Sequence, residues 1–344
     1  MGFILAWCMG LIIGLAPAFF YSYAATALRN PAINENFYGV EIVVDHAWIV
    51  GYYGTILHSK DRGVTWDLQP SPTRSALFAV RFVNRTTGWI NGSYGAVLHT
   101  ADGGKNWRSQ PSGTKEHLFG SFWLDETHGW LIGSRGATIR TDDGGRSWRN
   151  STVPGDFTFS SVWFVNPTHG WLVGEFGVIF QSRDGGKSWL KQKSPVEVSF
   201  ASGESRNLFA LVFTDQNTGY SFGLDGLVLK TRDGRRWETA RHGTNIDSRG
   251  GANHLFAATR FDRRIWAVGE RGTLLQSDSE GNHWQQSESE IPRTSLNGIA
   301  FGKDGFGLVV GNRGIILRTE NGGRTWQRLK INSQQSGKDN HHIP

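Results

Sequence analysis

Seven times along this chain the pattern Ser/Thr-x-Asp-x-Gly-x-x-Trp recurs, and its first four copies stand 41 residues apart. They are Ser59-Asp61-Gly63-Trp66, Thr100-Asp102-Gly104-Trp107, Thr141-Asp143-Gly145-Trp148 and Ser182-Asp184-Gly186-Trp189. Three looser copies follow: Thr231-Asp233-Trp237, which has lost a turn residue, then Ser277-Ser279-Gly281-Trp284 and Thr319-Asn321-Gly323-Trp326, which lack the Asp. A unit of about 40 residues cannot bury its own apolar face and must stack on its neighbours, so the chain is a solenoid or a propeller.

The residues between the patterns decide between these. In 77–111, Leu77-Phe78-Ala79-Val80-Arg81-Phe82 alternates and a turn follows at 84–88. Trp89-Ile90-Asn91-Gly92 then gives a second strand, and Ser93-Tyr94-Gly95 turns into Ala96–Thr100. The Asp pattern turns again into a fourth short strand at 107–110. Four antiparallel strands bounded by Gly, Asn and Pro make a propeller blade. The second-strand motif, Trp48 to Gly54 in its first copy and Leu308 to Gly314 in its last, also occurs seven times. The expected fold is therefore all-β: a seven-bladed β-propeller over 37–330, four-stranded antiparallel blades with Asp-box turns, closing without a strand borrowed from either terminus. Gly at 45 and Met at 2 fit short strands and tight turns rather than helices.

The first 27 residues are different in kind. An uncharged apolar run from Phe3 to Phe20 leads to Ala25-Thr26-Ala27, the small-x-small pattern of a signal-peptidase site, so 1–27 reads as a signal peptide or a retained N-terminal anchor. Residues 28–36 form a short lead-in and 331–344 a polar tail. The expected location is exported: periplasmic, or membrane-associated on the extracytoplasmic side. Cys8, the single cysteine, lies in the apolar run, and Trp7 disfavours lipidation there. A net charge of +6 without a Lys/Arg block argues against nucleic acid. His128 and His169 occupy the same turn of two copies, and no metal-ligand spacing is present, so neither metal nor cofactor is expected.

The Asp box has a structural task. Its carboxylate accepts backbone N–H groups of the turn, its Gly permits positive φ, and its Trp drops between sheets, as Trp148 is expected to do. Asp61, Asp102, Asp143, Asp184 and Asp233 are accordingly read as structural. Chain direction then sorts the turns: boxes share one face with the first-to-second-strand turns, while Gly-x-x-Gly turns share the other with the blade connectors. The latter is the expected binding face. It carries Tyr53, Tyr94, Arg135, Glu175, Phe176, Asp225, Arg271 and Arg313, and receives the two longest connectors, Lys191 to Asn207 and Thr239 to His254. On the box face, Lys105, Arg146, Lys187, Arg235, Arg236 and Arg324 form a basic rim read mainly as a solubility feature.

The unit Gly-Trp-x-x-Gly-x-x-Gly-x-(apolar)-x-x-Thr-x-Asp-Gly-Gly-x-x-Trp, complete at Gly129 to Trp148 and, with Ser182 for Thr, at Gly170 to Trp189, resembles the photosystem II stability and assembly factor family, as does the region 37–330. The resemblance implies an exported seven-bladed propeller, a bacterial relative of unassigned role, in a family that binds a membrane-protein precursor through an arginine-rich surface. Arg135, Arg271 and Arg313 fill the matching Gly-x-Arg-Gly slot; Tyr53, Tyr94, Phe176 and Asp225 stand there in the other blades.

The expected function is thus a non-catalytic extracytoplasmic scaffold, monomeric, holding a membrane protein or envelope complex on the Gly-x-x-Gly face. One alternative is a sialidase-like glycoside hydrolase, for which the later blades offer no tyrosine nucleophile, since every Tyr lies at or before Tyr220. Another is a propeller lectin or a docking subunit of an envelope transporter, which differs only in partner.

Overall fold

The computed structural model describes residues 35–329, apart from 203, 205, 242–252 and 279–280. The expectations for 1–27 and 331–344, most of the lead-in, and the centre of the Thr239–His254 connector lie outside the described residues. Within them the chain forms seven four-stranded antiparallel sheets, each from four consecutive strands. Blade 1 runs Phe37–Val43, His46–Gly51, Ile56–Ser59 and Asp67–Leu68. The other blades span 77–109, 118–150, 159–192, 208–241, 255–286 and 296–328. Their first strands touch one another in sequence, and that of blade 7 returns to that of blade 1, so these inner strands surround a central channel. The seven-bladed propeller expected from the repeats is the fold observed.

No strand is shared across the closure, so side chains and backbone groups seal it. The Gly314 N–H donates to the Glu35 carbonyl at 2.7 Å, the Arg313 N–H to Asn36 Oδ1 at 3.1 Å, and Asn297 Nδ2 to the Phe37 carbonyl at 2.8 Å. On the box face Arg62 pairs with Asp304 of blade 7, with Asp45 at 3.7 Å and Glu320 at 3.9 Å, over the Phe306 ring at 5.0 Å.

Each of the seven seams between blades buries its own apolar cluster. Five seams repeat one arrangement of three rings. The second-strand Trp of one blade stacks on the aromatic ending the next blade's first strand: Trp48 on Phe82 at 3.8 Å, Trp89 on Trp123 at 3.6 Å, Trp130 on Phe164 at 3.8 Å, Trp171 on Phe213 at 4.3 Å. Trp266 meets Phe301 at 5.5 Å, more tilted. The box Trp of the later blade stands edge-on to that aromatic, as Trp107 to Phe82, Trp189 to Phe164 and Trp237 to Phe213. Offset-stacked and edge-to-face pairs add about 0.5–1.5 kcal/mol each beyond burial. The box indoles do enter the seams as expected, but unequally: Trp107, Trp189, Trp237 and Trp326 are buried, whereas Trp66, Trp148 and Trp284 are half-buried. Trp148 is therefore less enclosed than its repeat position implied.

The box geometry follows the sequence argument. In blade 3, Thr141 Oγ1 donates to Asp143 Oδ1 at 2.8 Å and accepts the Gly145 N–H at 2.9 Å, while the Ser147 N–H and hydroxyl donate to the two Asp143 oxygens at 2.9 and 2.6 Å. The box also joins blades, because the Trp89, Trp130 and Trp171 Nε1 groups donate to the carbonyls of Gly144, Gly185 and Gly234 in the next blade. One sequence reading needs revision. The sixth box keeps a carboxylate one position early: Asp278 Oδ1 accepts the Asn282 N–H at 2.9 Å, the bond made elsewhere by the box Asp. In the seventh, the Asn321 amide oxygen accepts the Thr325 N–H at 3.0 Å.

Candidate functional site

Each Gly-x-x-Gly turn places its second central residue in the left-handed region: Tyr53, Tyr94, Arg135, Phe176, Asp225, Arg271 and Arg313 all have φ between 51° and 60°. An L-residue with a Cβ pays about 1 kcal/mol or more there relative to glycine. The conformation is held by the chain preceding each inner strand. The carbonyls of Asn36, Ala76, His117, Thr158, Asn207, His254 and Ser295 accept the first N–H of the turn in their own blade. In four cases the side chain of that residue caps the left-handed residue of the previous blade: Asn36 with Arg313, His117 with Tyr94, Asn207 with Phe176 and His254 with Asp225. Sequence reasoning did not single out these capping residues; their signal is a polar side chain immediately before the first apolar residue of a blade.

Seven equivalent positions on consecutive blades make a rim around one face. In ring order they read Arg271, Arg313, Tyr53, Tyr94, Arg135, Phe176, Asp225, so the three arginines form no single cluster. Two tyrosines, 62% and 65% exposed, lie between Arg313 on one side and Arg135 on the other. Arg135 comes within 3.8 Å of Glu116 and Arg271 within 3.9 Å of Glu270. Asp225 faces His254, whose Nδ1 lies 3.6 Å from its carboxylate. Glu175, at the first central position of its turn, is half-buried; burial pushes its carboxyl up while the Thr158 N–H, donating at 2.8 Å, opposes the rise. The Lys191–Asn207 connector borders an open cleft of about 350 Å³, lined by Pro195, Val196, Val198, Leu224 and Leu227 with Glu197, Glu204, Arg206 and Asp225.

Inside the rim lies a second ring that sequence reasoning missed. Every inner strand has a register shift after its first residue, so one residue per blade bulges: Tyr38, Phe78, Phe119, Ser160, Phe209, Phe256 and Asn297. Five of the seven are aromatic. Tyr38 and Phe78 centroids are 5.7 Å apart, Phe78 and Phe119 5.2 Å, Phe209 and Phe256 5.6 Å. The repeat spacing could have shown them, since Phe78, Phe119 and Ser160 stand 41 residues apart.

The box face differs. Asp102 and Asp143 are held down to about 2, first by hydrogen bonds from the side chains of Asn106 and Ser147. Asp61, Asp184 and Asp233 are lowered too. The cations Lys105, Arg146, Lys187, Arg235, Arg236 and Arg324 share their face with these carboxylates and with Asp45, Asp125, Glu126, Asp142, Asp215 and Asp304. The basic rim is thus a mixed-charge surface, and no group of His, Cys, Asp and Glu among the described residues is arranged to hold a metal ion.

A family profile described as photosynthesis system II assembly factor YCF48 matches residues 28–121, 69–150, 113–197, 147–244, 234–318 and 258–342. Among solved structures, one described as YCF48 bound to D1 peptide is 21% identical with a TM-score of 0.65, covering 84% of this chain and 92% of that one. YCF48 from Cyanidioschyzon merolae is 20% identical with a TM-score of 0.62, covering 84% of this chain and 97% of that one. The GH74 xyloglucanase from Xanthomonas campestris reaches a TM-score of 0.64 at 15% identity, covering 85% of this chain and 54% of that one. No curated protein matches the chain.

Proposed function

Because this chain belongs to the YCF48 family of photosynthesis system II assembly factors, we propose that it is a non-catalytic, extracytoplasmic scaffold that holds a segment of a membrane protein against its Gly-x-x-Gly face. One observation carries the reading. All seven blades place a non-glycine residue at a left-handed position where glycine is less strained, and five of the seven are exposed Tyr or Arg on consecutive blades, along the arc Arg271, Arg313, Tyr53, Tyr94, Arg135. Strain kept for the sake of an exposed side chain is a mark of function rather than of folding. Arginine and tyrosine are also the side chains that concentrate binding energy at protein interfaces. The similar structure described as holding a D1 peptide supports a polypeptide as the ligand.

A non-enzymatic role is favoured by the state of the acids. The box carboxylates already accept hydrogen bonds within their own turns on the face opposite the rim. Most glycoside hydrolysis needs two carboxyl groups across one substrate bond, one of them free to protonate the leaving oxygen, and the sialidase variant replaces the second by a tyrosine nucleophile.

Site-specific photo-crosslinking tests the assignment. A photoreactive residue at Tyr53 or Tyr94 should give adducts with a membrane protein, and one at Arg146 on the box face should not. Replacing Arg135, Arg271 and Arg313 together with Ala should abolish the adducts while the melting temperature stays near wild type. Adducts confined to Arg146 would overturn the proposed face, and turnover of xyloglucan or sialosides, lost in Glu175→Gln, would overturn the non-enzymatic reading. A periplasmic reporter fused after residue 344 tests the location; a silent extracytoplasmic reporter would refute it.

A further inference from the structure

From the bulge ring we infer that the mouth of the central channel is an anchor pocket for one aromatic or bulky aliphatic side chain of a bound polypeptide that also carries acidic residues. The inference rests on the reading that the Gly-x-x-Gly face takes a polypeptide, and it names the chemistry that face selects.

A β-bulge re-aims a side chain, and here the same device recurs in all seven inner strands at their channel-mouth ends. The residue before each bulge belongs to the core, Phe37, Leu77, Leu118, Phe159, Leu208, Leu255 and Leu296 being fully buried. The bulged residue itself leaves that core in six blades, and only Phe78 stays buried, 8% exposed. A chain needing only closure could use polar residues there, as it does with Ser160 and Asn297. In the other five blades it places aromatics, and Tyr38, Phe119, Phe209 and Phe256 remain partly exposed.

The aromatic surface is continuous with the rim. Tyr94 lies 4.8 Å from the His117 ring, His117 6.0 Å from Phe119, Phe119 5.2 Å from Phe78, and Phe78 5.7 Å from Tyr38. This strip crosses blades 1 to 3 and is bounded at the rim by Arg313 and Arg135. An apolar side chain entering the mouth leaves its flanking residues beside those guanidiniums, where carboxylates fit and cations are repelled. The occupant is accordingly an acidic segment with a hydrophobic anchor. The electrostatics steer and select it, and the anchor holds it.

A random dodecapeptide display library, panned on the full chain and counter-selected on the Arg135, Arg271 and Arg313 triple Ala variant, tests this. Enriched sequences should pair a Phe, Tyr, Trp or Leu with Asp or Glu. The leading sequence, made as a synthetic peptide, should lose at least tenfold in affinity when its apolar anchor becomes Ser. Phe119→Ser, which installs the residue found at the same bulge in blade 4, should lose a similar factor for the original peptide and nothing further for the Ser peptide. Changing only the peptide keeps the test valid should Phe119→Ser fold poorly. Acidic sequences without an apolar preference, lost in the arginine variant, would leave the rim reading standing and overturn the anchor pocket. An anchor effect of equal size in wild type and Phe119→Ser also overturns it, and so does a failure to enrich any sequence.

Discussion

Replacing Trp189 by Ala should destabilise the propeller by about 4 kcal/mol, and replacing Trp148 by Ala by only about 2. Trp189 is 1% exposed in the seam between blades 3 and 4, edge-on to Phe164 at 5.7 Å and clustered with Trp130 and Phe180. A buried indole removes about 150–250 Å² from water, which at about 25 cal/mol per Å² is worth roughly 4–6 kcal/mol as an upper bound. Its Nε1 makes no hydrogen bond among the described residues, so none is lost and the loss is one of packing. Measured Trp→Ala costs of about 3–5 kcal/mol agree. Trp148 holds the same pose against Trp123 at 5.8 Å, but it is half-buried, so less surface returns to water and the space it leaves opens to solvent. Equilibrium urea unfolding followed by far-UV circular dichroism measures both. A Trp148→Ala variant as unstable as Trp189→Ala would refute the argument, because the repeat position alone, and not burial in the seam, would then set the cost.

Gly186→Ala should cost at least 2 kcal/mol and lower the melting temperature, because Gly186 has φ of 76° and an added Cβ would lie 2.5 Å from the Trp130 Nε1 across the seam; a variant as stable as wild type would show that the seam relaxes freely. The depressed carboxyls of Asp102 and Asp143 contribute stability that is present above their unfolded value near 4 and lost as pH falls through about 2. Acid unfolding should therefore be shallower in Asp143→Asn, and an unchanged pH profile would contradict it. His58, 3% exposed and stacked on Trp48 at 4.7 Å, is lowered to about 4 by burial and by the neighbouring His46, so the stability it supports is full above pH about 6.5 and falls as pH drops toward 4. That loss, at most about 3 kcal/mol, should disappear in His58→Phe; a wild-type stability flat from pH 7 to 4 would refute it.

The repeat made the fold legible because one box Trp and one second-strand motif per blade are each tied to a fixed place in a seam. Seven copies of both, at nearly constant spacing, leave few ways to satisfy the apolar faces except a closed ring. The faces were legible for a related reason, since antiparallel order alone puts Arg135 and Asp143 at opposite ends of their blade. What the residue letters did not carry was conformation. Nothing in Tyr94 announces a φ of 56°, because the turn is imposed by its glycines and by His117 in the next blade. Equally, Phe119 follows Leu118 in what reads as an ordinary alternating strand, and only the register shift against the second strand shows that it bulges. The sixth box shows the converse: its pattern is broken at Ser279, yet Asp278 restores the bond to the Asn282 N–H. A motif search weighs residue types at fixed positions, whereas the turn requires only an oxygen within reach of a backbone N–H. Structural roles in this protein therefore survive substitution and shift, because the turn fixes the position of an oxygen and not the residue that carries it.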